Sequence, residues 1–302
     1  MCMTYNILTL DGGGVKGIFS LQLLIRLITE YPNLLEDTDL IAGASTGAII
    51  ALALANGSTP SNVLEFYEKN LPKVFKDSYW DNVVDLGTLL GADFDYTNLK
   101  SVLKSHFGTS TLADLQKKIL VPAIDLDNES TELRTWKPKF YNSFQEDDLS
   151  ETIVDVAVRS AVAPTYFPIY QGFTDGGLAA NCPAMSAIAQ ALDTKTASQE
   201  LSNIRVISIG VGYSPTFISG KKLDWGTSQW AKLLMPVVLD SMMFTTDYQC
   251  KKLLGDNYLR IDSAYGKKVG LVDLSQVEYL KDTANKVELS AANTWVINNW
   301  KK

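Results

Sequence analysis

Residues 5–17, YNILTLDGGGVKG, and residues 39–47, DLIAGASTG, decide the fold. In each, a short apolar run that reads as a buried strand (residues 5–10 and 39–42) ends in a glycine turn (residues 11–17 and 43–47). Each turn is followed by a segment that is apolar on nearly every face (residues 18–30 and 48–55). A helix apolar all round is packed on all sides, and a strand without polar alternation is covered on both faces. Strand, turn and buried helix, twice within 55 residues, is the pattern of a parallel α/β sheet with helices on both faces.

Outward from this unit, Gly57 and Pro60 of NGSTP break the pattern. Helices are expected at residues 61–71 and 98–107, the second stopped by Gly108, with an aromatic stretch between them in which residues 80–94 read as a lid or as a loop over the core. This section shows no strand pattern, and residues 58–110 are expected to form a helical cap beside the sheet. Strands resume at residues 119–126 and 133–137. A helix follows over residues 151–161, with Ser150 as N-cap and Pro164 beyond its end. A strand at residues 169–174 leads into Asp175-Gly176-Gly177, then come a helix from Pro183 and a strand at residues 204–211. The last part, residues 214–302, reads as mainly helical, with Val277, Leu280, Ala284, Val287, Ala291 and Trp295 spaced as one amphipathic stripe. The economical expectation is one α/β domain over residues 1–302, with a mainly parallel central sheet and its motifs between residues 5 and 213.

Composition narrows the function. The chain has 302 residues, 34 acidic against 27 basic side chains, and a net charge of −7 without a Lys/Arg cluster. That balance disfavours nucleic acid, so a lipid contact would rest on apolar burial. One His and the scattered Cys2, Cys182 and Cys250 provide no zinc ligand set and no disulfide framework, which suggests a reducing, cytoplasmic setting. No leader is signalled at the N-terminus, and the longest nearly apolar stretch, residues 48–55, is far shorter than the ~20 residues a membrane span needs.

GASTG fits G-x-S-x-G at a strand-to-helix junction, where small neighbours let a sharp turn project the Ser45 hydroxyl beside the free N–H groups of a helix start. The usual base would be a later His. His106, the single imidazole, instead precedes Asp175 and ends a helix in the cap, where it reads as bonded to helix carbonyls or solvated. Ser45 therefore needs another base. Residues 12–17 match the dinucleotide fingerprint literally, but the second strand ends in Ala42-Gly43-Ala44-Ser45 without the carboxylate that holds a ribose. The same glycines have a second use, N–H groups converging on an oxyanion, and two turns after neighbouring parallel strands open at one sheet edge, Gly13 and Gly14 beside Ser45. The DGG at residues 175–177 is either a turn chosen for backbone reasons or a third strand end on that edge, from which Asp175 takes the proton of Ser45.

In this order DGGGVKG, GASTG and DGG resemble the three signature elements of the patatin-like phospholipases. APTYFP at residues 163–168, DGGLAANCP at residues 175–183 and the strand at residues 206–212 are also similar, so the resemblance runs from about residue 5 to 213. It implies a three-layer α/β/α fold and a Ser-Asp dyad hydrolase of lipid acyl esters with no metal or cofactor. Ser45 would be the nucleophile, Asp175 the base and Gly12, Gly13 and Gly14 the oxyanion loop. Lys16 stands where the family has Arg or Lys, the Thr46 N–H assists, and Gly43, Gly47, Gly176 and Gly177 support the turns. The partner would be a lipid or membrane surface met peripherally, with self-association left open. An acyltransferase using the same dyad and a non-hydrolytic lipid-binding or storage protein are the alternatives. Met235, Pro236, Val238, Leu239, Met242, Met243 and Phe244 read as helix core or a dimer contact, and otherwise as an acyl groove.

Overall fold

The computed structural model describes residues 4–75, 91–220, 223–231 and 233–300. Seven strands lie among them: β1 (Tyr5–Leu10), β2 (Leu40–Gly43), β3 (Lys118–Asp125), β4 (Lys137–Asn142), β5 (Phe173–Asp175), β6 (Ile204–Ile209) and β7 (Tyr258–Ile261). They form one sheet in the order β4-β3-β2-β1-β6-β7. The pairs β3-β2, β2-β1, β1-β6 and β6-β7 are parallel, while β4 and β5 both run antiparallel to β3.

The principal helices are α1 (Gly17–Glu30), α2 (Thr46–Ala55), α3 (Pro60–Val74), α4 (Tyr96–Phe107), α5 (Ile153–Ala161), α6 (Ala184–Leu192), α7 (Leu234–Leu254), α8 (Val277–Lys286) and α9 (Ser290–Asn299). Strand residues alternate between two buried layers. Leu8, Leu10, Ile41, Ile207 and Ile209 join the larger cluster with α1, α2, α3 and α5. Ile7, Leu40, Ala42, Ile204 and Val206 face the smaller one, with α6 and α7. The sheet is thus mainly parallel and covered by helices on both faces, as the two opening repeats require. All ten residues of α2 are buried. α3 and α4, the helices expected in the cap, pack on each other, and α3 also packs on α1. Residues 76–90, which include residues 80–90 of the stretch read as a lid or a loop, lie outside the described residues.

Position along the edge of β3 brings the sequence motifs together. β4 fills one edge of β3 over Leu120–Asp125. On the other edge β2 pairs with residues 118–120 and β5 with residues 123–125, in opposite directions. β2 and β5 therefore run head-on along one edge, and the turns at their C-terminal ends, carrying Ser45 and Asp175, meet. Asp175 was expected at a strand end on the edge that carries Ser45, and it arrives there on an antiparallel strand.

Other expectations shift. Residues 133–137 are not a strand, for Leu133 and Trp136 are 71% and 73% exposed and cannot pack on a sheet; β4 begins at Lys137. α5 starts at Ile153, because Thr152 Oγ1, not Ser150, accepts the Asp155 N–H that caps it. The stripe from Val277 to Trp295 is two helices, broken at residues 287–289. β7 interrupts the C-terminal part that was read as mainly helical; four residues, YLRI, with a central arginine have no apolar alternation to announce a strand.

The C-terminus closes the core: Trp300 is fully buried, its Nε1 donates to Leu34 O at 3.0 Å, and its carbonyl accepts from Asn6 Nδ2 of β1 at 2.9 Å. Trp300→Ala should lower unfolding stability by about 3–5 kcal/mol, as removal of a buried aromatic does, with an unchanged urea m-value.

Candidate active site

β2 ends at Gly43 and α2 begins at Thr46, leaving two residues to reverse the chain. Ser45 takes φ 53° and ψ −121°, a backbone region costly for any side chain and held here by its surroundings. The turn closes because Gly43 and Gly47 have no Cβ: a methyl at Gly43 would strike the Gly47 carbonyl, and one at Gly47 the Leu10 carbonyl. The Ser45 N–H donates to Ser160 Oγ of α5 at 3.1 Å. Tyr67 Oη of α3 donates to Thr46 O at 2.9 Å and lies 2.9 Å from Thr46 Oγ1.

Ser45 Oγ donates to Asp175 Oδ2 at 2.7 Å, the contact that joins the two motifs. The other oxygen, Oδ1, accepts the Gly177 N–H at 2.6 Å. The C-terminal end of α5 grips the aspartate turn as it grips the serine: Asp175 N–H donates to Val162 O at 3.1 Å and Gly176 N–H to Ser160 O at 3.0 Å. Asp175 is 5% exposed. Burial disfavours its charge and pushes its pKa up to about 6, while the hydrogen bonds from Ser45 and Gly177 oppose the rise.

Between β1 and α1 the glycine loop lies against both. Gly12 N–H donates to Asn181 O at 2.9 Å, so its donor is spent and its role narrows to fixing the loop. Val15 N–H is taken by Leu271 O at 2.8 Å. Gly14 has φ 60°, and the Leu271 carbonyl occupies the space a Cβ would need. The N–H groups of Gly13, Gly14 and Thr46 bond to no acceptor among the described residues. All three residues line one cavity with Ser45 and Asp175.

That cavity has a volume of about 500 Å3 and is walled mostly by apolar side chains, Phe66, Leu71, Leu103 and Phe167 on one flank and Leu239 and Met243 on another. Met235 and Pro236 also line it, so four of the seven residues of the methionine-rich segment face the site. Val238 and Met242 face a shallower groove against Met185, and Phe244 lies half-exposed, edge-on to Tyr213. Lys16 reaches the cavity without an ion pair among the described residues; burial pulls its pKa down, and the nearby Asp240, also on the cavity wall, pushes it back up. His106 is not on the lining: it packs on Phe66 and Phe107, with Nε2 3.3 Å from Ser58 Oγ. No group of three or more His, Cys, Asp or Glu is placed to hold a metal among the described residues.

Comparison with known proteins gives the arrangement a family. The profile of the patatin-like phospholipases matches residues 8–188. The chain belongs to the patatin-like phospholipase family. That membership makes it a lipid ester hydrolase. Protein teg of Priestia megaterium is 30% identical over 324 residues, covering 98% of this chain and 99% of that one. A cGAMP-activated phospholipase of Pseudomonas aeruginosa is 30% identical over 295 residues, 93% of this chain and 87% of its own. Patatin-T5 of Solanum tuberosum is 24% identical, with 85% of this chain and 75% of its own covered.

Sequence reasoning missed the supports of this patatin-like site. Ser160 in the last turn of α5 and Tyr67 inside α3 carry nothing local that marks them, and Asn181 enters by its backbone carbonyl, which no side chain reveals. Its neighbours in the DGGLAANCP stretch were the one available pointer.

The raised pKa of Asp175 makes its ionisation a cost to the fold. Asp175 costs nothing below its unfolded value near 3.8, and the penalty grows until the pH passes the folded value near 6. Relative to Asp175→Asn, the wild-type chain should thus lose about 2 kcal/mol of unfolding stability between pH 4.5 and 7.5, read by urea denaturation at both pH values. A difference that stays flat across that range would show that the carboxyl is not perturbed by burial.

Proposed function

We propose that the chain cleaves carboxylic esters of lipids through an acyl-enzyme on Ser45, with Asp175 as general base and the N–H groups of Gly13, Gly14 and Thr46 as oxyanion donors. The observation that carries this reading is the 2.7 Å bond from Ser45 Oγ to Asp175 Oδ2, in a cavity where those three N–H groups lack acceptors among the described residues. Ser45 Oγ attacks the ester carbonyl as its proton passes to Asp175 Oδ2, and the new oxyanion draws on the free donors. Collapse expels the alcohol, which takes the proton from Asp175. Water then attacks the acyl-enzyme, Asp175 accepts its proton, and the fatty acid leaves with the Ser45 hydroxyl restored.

An aspartate with its ordinary pKa is a weak base for an alcohol, and burial brings this one closer to neutral pH while leaving it ionised at pH 7. The apolar walls suit an acyl chain, and phospholipid, lysophospholipid and galactolipid esters are the substrate class. The protein meets them from the cytoplasm at a membrane surface; no helix among the described residues is long and apolar enough to cross one.

Hydrolysis of a phospholipid panel should vanish in Ser45→Ala together with labelling by a fluorophosphonate, and fall about 10²–10⁴-fold in Asp175→Asn. kcat/KM should rise tenfold per pH unit up to about 6 and level off above it, because the ionised base is the active form. His106→Ala should retain turnover within about twofold, since its ring lies off the cavity; a collapse in that variant with the fold intact would refute the dyad.

A further inference from the structure

We infer that Arg260, on β7, is a positioning residue for the oxyanion loop, acting through Asp11. The inference rests on the ester-hydrolase reading above. Thr9, Ser208 and Arg260 stand side by side across β1, β6 and β7. From that row the guanidinium reaches two residues up both outer strands. Its Nη2 lies 2.6 Å from Asp11 Oδ2 and 2.7 Å from Asp262 Oδ2, and its Nη1 donates to Ser208 Oγ at 2.8 Å. Arg260 and Asp262 are 9% exposed and Asp11 is 0% exposed, so these are buried charges whose placement depends on one another.

Asp11 immediately precedes Gly12, Gly13 and Gly14. Its second oxygen, Oδ1, is buried without a close hydrogen-bond partner among the described residues, so Arg260 is the charged group that orients the carboxylate, with the Cys182 thiol as a weaker neighbour. The other arm reaches the same loop from behind. Asp262 Oδ1 accepts the N–H groups of Gly212 at 2.8 Å and Ser263 at 2.9 Å, and Val211, whose carbonyl Tyr265 Oη also holds, packs directly on Gly13. One guanidinium therefore sets both the residue that leads into the loop and the turn on which the loop rests: Nη2 meets both carboxylates while Nη1 is fixed on Ser208. A lysine has no second nitrogen to keep the Ser208 bond and no planar group to hold that orientation. The arginine does not touch the cavity. Its effect on rate passes through where the Gly13 and Gly14 N–H groups point.

The test uses the full chain and two variants: Arg260→Lys, which keeps the charge, and Arg260→Met with Asp11→Asn, which leaves no orphaned Asp11 charge. Steady-state hydrolysis of a soluble p-nitrophenyl ester is measured beside inhibition by a trifluoromethyl ketone, whose adduct carries the oxyanion, and by an ether analogue that only fills the cavity. In both variants kcat should fall about 10–100-fold with KM within about twofold, as expected for loss of alignment at oxyanion donors. The ketone should weaken in step with kcat, and the ether should bind as in wild type. Equal weakening of both inhibitors would mean general loosening, and turnover within about threefold of wild type in folded variants would mean no role; either overturns the inference. Absence of Ser45-dependent hydrolysis in wild type would instead remove the hydrolase reading, and the inference with it.

Discussion

The partly buried hydrogen bond between Ser45 and Asp175 is the constraint on which the rest of the molecule is arranged. It joins two turns 130 residues apart in the chain, and neither can hold its place alone. One is a serine in a costly backbone conformation, the other a carboxylate denied water. β3 brings the two strand ends face to face, and the end of α5, through Ser160 and Val162, holds both turns. The cost of strain and burial is met by the large apolar core behind them, a common economy at sites of chemistry.

The electrostatics follow from the same geometry. Apolar burial gives Asp175 the basicity that a solvated aspartate lacks, while the hydrogen bond from Gly177 keeps the ionised form accessible. Below the adjoining glycine loop the setting differs. There, two carboxylates share one guanidinium, and burial pushes the Asp11 carboxyl up while Arg260 opposes the rise. Asp175 has no such cationic partner, and it is the one on the cavity.

Much of this was legible in the chain. Strand, glycine turn and apolar helix repeated at residues 5–55 specify a parallel, doubly covered sheet, because only burial on both faces suits elements without a polar side. Gly43 and Gly47 flank Ser45 because their Cα atoms lie against backbone carbonyls, and such close approaches leave a mark in composition. What stayed hidden depends on partners far away in sequence. β7 has no alternation of its own and is a strand because β6 offers it a free edge. Residues 133–136 have strand-like residues but pair with no strand among the described residues. Ser160 looks like any helical serine until two turns arrive at its side.

The sequence by itself determined the class of the sheet, the turn that exposes Ser45 and the absence of a late histidine to serve it, since each follows from local sterics, periodicity or residue identity. Only the tertiary structure decided that Asp175 reaches Ser45 on an antiparallel strand, that the Gly12 donor is spent on Asn181 while those of Gly13 and Gly14 meet no acceptor among the described residues, and that an arginine from β7 underlies the loop. These are questions of which groups share a few ångströms of buried space, and that is fixed by packing across the whole chain rather than by any stretch of it.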